Sequence, residues 1–181
     1  GCTPMNRRYS KRERLALLAL LALFFLFGIL TLTRYPFVHS DESWLAGLTR
    51  AMMEEGSPAV TEPFFDLKPR WPHAIKILFH LLQTPFIACF GYSVFSVRLL
   101  SLLAGCAALA LFYACARRLS GGRPAVSLAS TAVLACDGQF QMASRFARQE
   151  ILLCCVMLSC LLLFLREEGA LRTRTARRLA L

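Results

Sequence analysis

From Leu15 to Thr33 the chain reads LALLALLALFFLFGILTLT, 19 residues without a charge. A helix of about 20 apolar residues crosses a hydrocarbon core roughly 30 Å thick. A soluble fold of this chain would offer nothing large enough to bury such a segment. Secretory signal cores are shorter, about 7–15 residues, and end in a small-residue cleavage site. Thr33-Arg34-Tyr35-Pro36-Phe37 is no such site, so the run reads as a retained membrane span.

Four more apolar stretches follow, at Pro72–Phe90, Val94–Ala116, Pro124–Met142 and Ile151–Leu165. The chain is 56% hydrophobic, above the roughly 45–50% of soluble domains. Its net charge of +10 gathers at the ends of these stretches. The clusters are Arg7, Arg8, Lys11, Arg12 and Arg14; Arg117, Arg118 and Arg123; and Arg166, Arg172, Arg174, Arg177 and Arg178. Such placement follows the positive-inside rule and argues against nucleic acid as the partner. The 8 cysteines sit mostly inside apolar runs, without metal-site spacing, and read as packing residues.

If every basic cluster is cytoplasmic, the number of crossings between successive clusters is even, and five spans are one too many. The second stretch is the odd one. His73, Lys76, His80 and Gln83 recur at helical spacing and draw one polar stripe along it. That suits an interfacial helix or a protein-lined cleft better than lipid, and Pro85 is expected to interrupt its end. The prediction is an all-α integral membrane fold with about four transmembrane helices, and juxtamembrane helices in a long first outer loop. Residues 1–14 form a basic cytoplasmic N-terminus, 15–165 the transmembrane module with outer loop 34–93, and 166–181 a basic cytoplasmic tail. Within the loop, Ser40 or Asp41 is placed to cap a helix carrying Trp44, Leu45, Leu48 and Met52 on one face, ended by Gly56. Gly121-Gly122-Arg123-Pro124 signals a turn and a helix start.

This topology draws ionisable residues to one membrane face from four places: Asp41 and Glu42 after the first span, Lys68 in the loop, Arg98 near the start of the second span, and Arg145, Arg148 and Glu150 in the second outer turn. Ionisable groups near membrane depth are costly and are functional candidates by default. Each also has a plainer role. Asp41-Glu42 suits a helix N-terminus, Arg98 can snorkel, Arg148 and Glu150 can form a surface pair, and Lys68 can be an ordinary loop residue. His73 and His80 lack a third ligand of the usual type beside them.

The ordered stretches HSDESWLAGLTRAMMEEG, FFDLKPRWPHAIKILFHLL, FGYSVFSVRLLSLLAG, FYACARRLSGGRPA and SRFARQEILL resemble the N-terminal part of the GT-C class of membrane glycosyltransferases. That class includes protein O-mannosyltransferases and the aminoarabinose transferases that modify lipid A. The resemblance covers Leu15 to Leu165 and implies an inverting, lipid-phosphate-sugar-dependent enzyme at the outer face of the cell membrane. It implies a polyprenyl-phosphate-linked sugar donor and a lipid, glycan or protein acceptor, with membrane lipids as surroundings. It assigns Asp41 and Glu42 as the catalytic acidic pair and Lys68, Arg98, Arg148 and Glu150 as substrate-binding residues. Arg70 stands where the family pattern has a second proline after Lys68-Pro69. A divalent metal ion held by Asp41 and Glu150 is a family expectation for the cofactor.

In this chemistry a carboxylate takes the proton of the attacking hydroxyl, and Asp41 is the candidate. Lys or Arg stabilises the departing phosphate. Family members are usually much longer, so activity of this stretch alone is not assured. A truncated, non-catalytic membrane partner and a small transporter subunit are the competing classes.

Overall fold

The computed structural model describes residues 9–58, 60 and 77–179, with 169–179 as backbone only. All regular structure among them is helical: α1 Lys11–Thr31, α2 Ser40–Glu55, α3 Ile77–Phe90, α4 Val94–Leu119, α5 Pro124–Cys136, α6 Gly138–Ala143 and α7 Glu150–Leu179.

Helix α1 starts four residues before the apolar run because Ser10 and Glu13 form a capping box. The Ser10 hydroxyl accepts from Glu13 N at 3.1 Å, and Glu13 Oε2 accepts from Ser10 N at 3.2 Å. Helix α2 is capped by His39, not by Ser40 or Asp41 as expected. The ring Nδ1 of His39 accepts from Asp41 N at 3.3 Å, which leaves the Asp41 carboxylate free of capping. Gly56 ends α2 in the left-handed conformation, φ 63°, as anticipated. The turn at 121–122 also forms, with both glycines at positive φ and Pro124 in the first turn of α5.

Two expectations are corrected. Pro85 does not end α3; it lies inside the helix, which runs on to Phe90. The stretch expected as one helix over Pro124–Met142 is broken in two, because the Asp137 carboxylate accepts from Phe140 N at 2.8 Å and so caps a new helix, α6.

Helix α4 is the centre, packed by α1, α3, α5, α6 and α7. Its close neighbours need small side chains. A Cβ on Gly105 would meet Ser144 Oγ at 2.6 Å and Cβ at 2.7 Å, and one on Gly28 would overlap the Leu102 side chain. Phe24, Leu102, Ala104, Ala108, Leu109, Phe140 and Ile151 form the main core. Helices α1 and α4 run antiparallel and are clamped at both ends. At one end Glu13 accepts from Arg117 Nε at 2.6 Å and from the Tyr113 hydroxyl. At the other, Arg98 Nη1 donates to the carbonyls of Leu32 at 2.8 Å and Pro36 at 2.9 Å.

Helix α3 supplies the protein-lined alternative for its polar stripe. His80 and Gln83 are buried against α2: Thr49 Oγ1 lies 2.8 Å from His80 Nδ1 and donates to Gln83 Oε1 at 2.6 Å, while Gln83 Nε2 donates to Val97 O at 2.8 Å. His73 and Lys76 lie outside the described residues. Helices α1 and α4 are long and apolar enough to cross a membrane. Helix α5, at 13 residues, is about 20 Å long. In α7 the apolar run from Ile151 ends at Arg166, although the helix continues.

The close approach at Gly105 predicts that Gly105→Val pushes the α6–α7 connection off α4. The expected loss is about 1–3 kcal/mol, read as a lowered thermal midpoint of the detergent-solubilised protein.

Candidate active site

Five of the charged residues expected on one face, Asp41, Glu42, Arg98, Arg148 and Glu150, lie together in two layers. The inner layer is Glu42 with Arg98. Arg98 Nε donates to Glu42 Oε1 at 2.6 Å and Nη2 to Oε2 at 2.7 Å, a bidentate fork with side chains 0% and 2% exposed. The remaining Arg98 contacts are the Leu32 and Pro36 carbonyls described above. Glu42 Oε1 also accepts from Ala147 N at 3.0 Å. One buried ion pair therefore ties together the end of α1, the start of α2, the start of α4 and the turn that precedes α7.

The outer layer is Asp41, Arg148 and Glu150. Arg148 Nη2 lies 2.7 Å from Glu150 Oε1, and its Nη1 lies 3.6 Å from Asp41 Oδ2. These side chains are 36–50% exposed. Their juxtaposition follows from the inner layer. Asp41 precedes Glu42 in the first turn of α2, and Arg148 follows Ala147, so the Glu42 to Ala147 bond brings both neighbours to one rim. His39 adds to the rim, with its ring packed edge-on to Phe146 at 6.5 Å between centroids.

The division of labour differs from the sequence expectation. Arg98 was expected as a phosphate contact and Glu42 as half of a catalytic pair. Both are buried and spent on each other, for the physical reason that a desolvated charge must be paired and hydrogen-bonded. Asp41, Arg148 and Glu150 are the accessible members. Lys68 lies outside the described residues. A cavity of about 250 Å³ lined by Val38, Glu42, Ser43, Ala46, Tyr92, Ser93, Val94 and Val97 opens beside Glu42.

The described residues do not by themselves make a divalent-ion site. No group of three or more His, Cys, Asp or Glu side chains converges among them, and the charge between Asp41 and Glu150 is the Arg148 guanidinium.

Arg145 was noted as a cation of the same turn without a role. It is 1% exposed, and its guanidinium lies over the rings of Phe27, at 4.7 Å, and Tyr35, at 5.6 Å. Glu13 was missed. The signal was present, because an acidic residue three positions after Ser10 in a basic stretch is a capping box pattern.

A family model described as dolichyl-phosphate-mannose-protein mannosyltransferase matches residues 72–175, more than half of the chain. The chain belongs to this family. At family level it is thus a membrane-embedded, mannosyltransferase-like glycosyltransferase of GT-C type. The match includes Arg98, Arg145, Arg148 and Glu150, whereas Asp41 and Glu42 lie before it. No curated protein and no solved structure matches the chain.

The inner pair yields a stability prediction. Glu42→Leu or Arg98→Met alone strands a buried charge, at about 3–5 kcal/mol. The Glu42→Leu/Arg98→Met double variant should lose less than the sum of its single changes, measured by thermal unfolding in a double-mutant cycle.

Proposed function

We propose that the chain serves transfer of a sugar from a polyprenyl-phosphate donor to a hydroxyl acceptor, at the membrane face that carries Asp41. The observation that supports this most is the outer layer: a half-exposed carboxylate 3.6 Å from a partly exposed arginine, held on a buried scaffold, in a chain of this family.

The acceptor hydroxyl attacks the anomeric carbon of the sugar. The new carbon–oxygen bond forms as the bond from that carbon to the phosphate oxygen breaks, with inversion. The hydroxyl proton passes to the Asp41 carboxylate. The electron pair of the broken bond leaves with the phosphate, whose gained charge Arg148 meets through its guanidinium fork. Glu150, 2.7 Å from Arg148 Nη2, orients that fork. Lys68 is a second candidate for the phosphate. Glu42 and Arg98 hold the turn and the α2 start in register and take no proton. A metal step is not needed for this balance, and none is assigned.

We further propose four crossings: α1, α4, α5 with α6, and α7. The even count keeps the basic ends on the cytoplasmic side and puts Asp41 and Glu150 on the other, in a multi-pass protein of the cell membrane. Cysteine labelling in intact cells should reach substituted positions 41 and 150 from the same, outer side. Labelling from opposite sides would overturn both the topology and the shared site.

For the chemistry, Asp41→Asn should lower sugar transfer by about a hundredfold to ten-thousandfold in membranes supplied with polyprenyl-phosphate sugar, at unchanged protein level. Unchanged turnover in this variant would remove Asp41 as the base. Arg148→Lys should retain a part of the activity that Arg148→Gln loses, because it keeps the charge and loses only the planar fork.

A further inference from the structure

Among the described residues three arginines are buried, and one of them has no carboxylate partner. Arg98 is paired with Glu42 and Arg117 with Glu13. Arg145, 1% exposed, has no ion-pair partner among the described residues. One Nη2 hydrogen bond to Gln141 Oε1 and the two ring faces are its compensation, and its Nε has no hydrogen-bond partner. An unpaired buried charge is expensive, and the two aromatic faces offset only part of that cost. Burial pulls the guanidinium down from its ordinary value, with the Tyr35 phenol opposing.

The two rings that cover Arg145 are themselves open on their far sides. Phe27 is 55% exposed and Tyr35 43% exposed. Phe27 also belongs to a stripe on α1, with Leu23, Leu26 and Leu30, all more than half exposed and at helical spacing. The surface thus offers an apolar track that ends, at the Asp41 end of the bundle, on a buried positive charge. A long apolar chain with one anionic head has the complementary shape and charge. The turn that carries Arg145 also carries Arg148, three residues on, so a head group held at Arg145 lies next to the proposed reacting site.

We propose that Arg145, beneath Phe27 and Tyr35, is a docking point for the phosphate of a polyprenyl phosphate that approaches laterally along α1. The Tyr35 ring swings aside, a phosphate oxygen takes its place against the guanidinium, and the isoprenoid chain lies on the Leu23, Leu26, Phe27 and Leu30 stripe. Arg145 is then a substrate-positioning residue upstream of Arg148. The inference rests on the proposed donor class. It is read by binding rather than turnover, so a chain that binds but does not transfer counts against the Asp41 assignment and leaves this site standing.

The test is equilibrium binding of a long-chain polyprenyl phosphate to the full chain in phosphatidylcholine nanodiscs. Uncharged polyprenol is the control and phosphatidylglycerol the competitor. Arg145→Gln should weaken phosphate binding roughly tenfold to a hundredfold, the factor for one lost charge-assisted contact, and leave the weak polyprenol binding unchanged. Arg145→Lys should fall between. Equal affinity in wild type and Arg145→Gln overturns the proposal, as does equal displacement by phosphatidylglycerol, which would make the site a general anionic-lipid contact. Should Arg145→Gln fail to fold, a photoreactive polyprenyl phosphate decides on the unaltered chain. Labelling on α1 around Phe27 supports the site, and labelling confined to other helices overturns it.

Discussion

The fold depends on two arginines of α4, each buried on a carboxylate from a different part of the chain. Arg98 takes Glu42 and Arg117 takes Glu13. They stand 19 residues apart in sequence, about 28 Å along an α-helix, close to the roughly 30 Å of a hydrocarbon core. Between them α4 buries small and apolar side chains such as Ser101, Ala104, Gly105 and Ala108. Apolar packing alone gives little register between helices in lipid, where the tails are as apolar as the side chains. A polar clamp at each end supplies it. A one-residue slip of α1 against α4 would break the Arg117 to Glu13 bond and the Arg98 to Leu32 carbonyl bond together.

The same clamp explains why the candidate site is where it is. Glu42 carries four tasks with two oxygens: it receives both arms of the Arg98 fork and the Ala147 N–H, and it fixes the first turn of α2. Asp41 and Arg148 are the chain neighbours of these held positions. Their closeness costs little further ordering, because the backbone on each side is already fixed. Preorganisation of this kind is what a site needs if charge is to be met without rearrangement.

Much of this was legible in the sequence. The uncharged run after Leu15, the basic clusters and the Gly121-Gly122 turn gave the membrane class and the helix order. The charges of Asp41, Glu42, Arg98, Arg148 and Glu150 could be brought to one face from topology alone. Which of them would be buried was not legible. Neighbours Asp41 and Glu42 are equivalent as letters, and only the helix phase set by the His39 cap turns one inward and the other to the rim. The break at Asp137 had a local signal, an acceptor followed by Gly138, which an apolar window over Pro124–Met142 averages away. Arg145 could be placed in the turn, but its covering by Phe27 and Tyr35 joins residues more than a hundred positions apart and has no local trace.

Charge accounting shows what the arrangement favours. The described site holds three carboxylates, Asp41, Glu42 and Glu150, and three guanidinium groups, Arg98, Arg145 and Arg148. It is neutral before any ligand arrives, which suits a position at the edge of an apolar medium. Glu42 and Arg98 cancel at bidentate distance. Arg148 lies between two carboxylates, so its charge is more than spent. Under the docking we propose, an incoming phosphate meets Arg145, which has no carboxylate partner among the described residues, before it meets Arg148. Once it is drawn to the rim, it competes with Asp41 for Arg148. In that proposed transfer, each increment of negative charge that reaches the phosphate strengthens its hold on Arg148 at the expense of the Asp41 contact. In the transfer we propose, leaving-group stabilisation and base activation act through one guanidinium, and the 3.6 Å separation of Arg148 from Asp41, long for an ion pair, leaves room for that exchange.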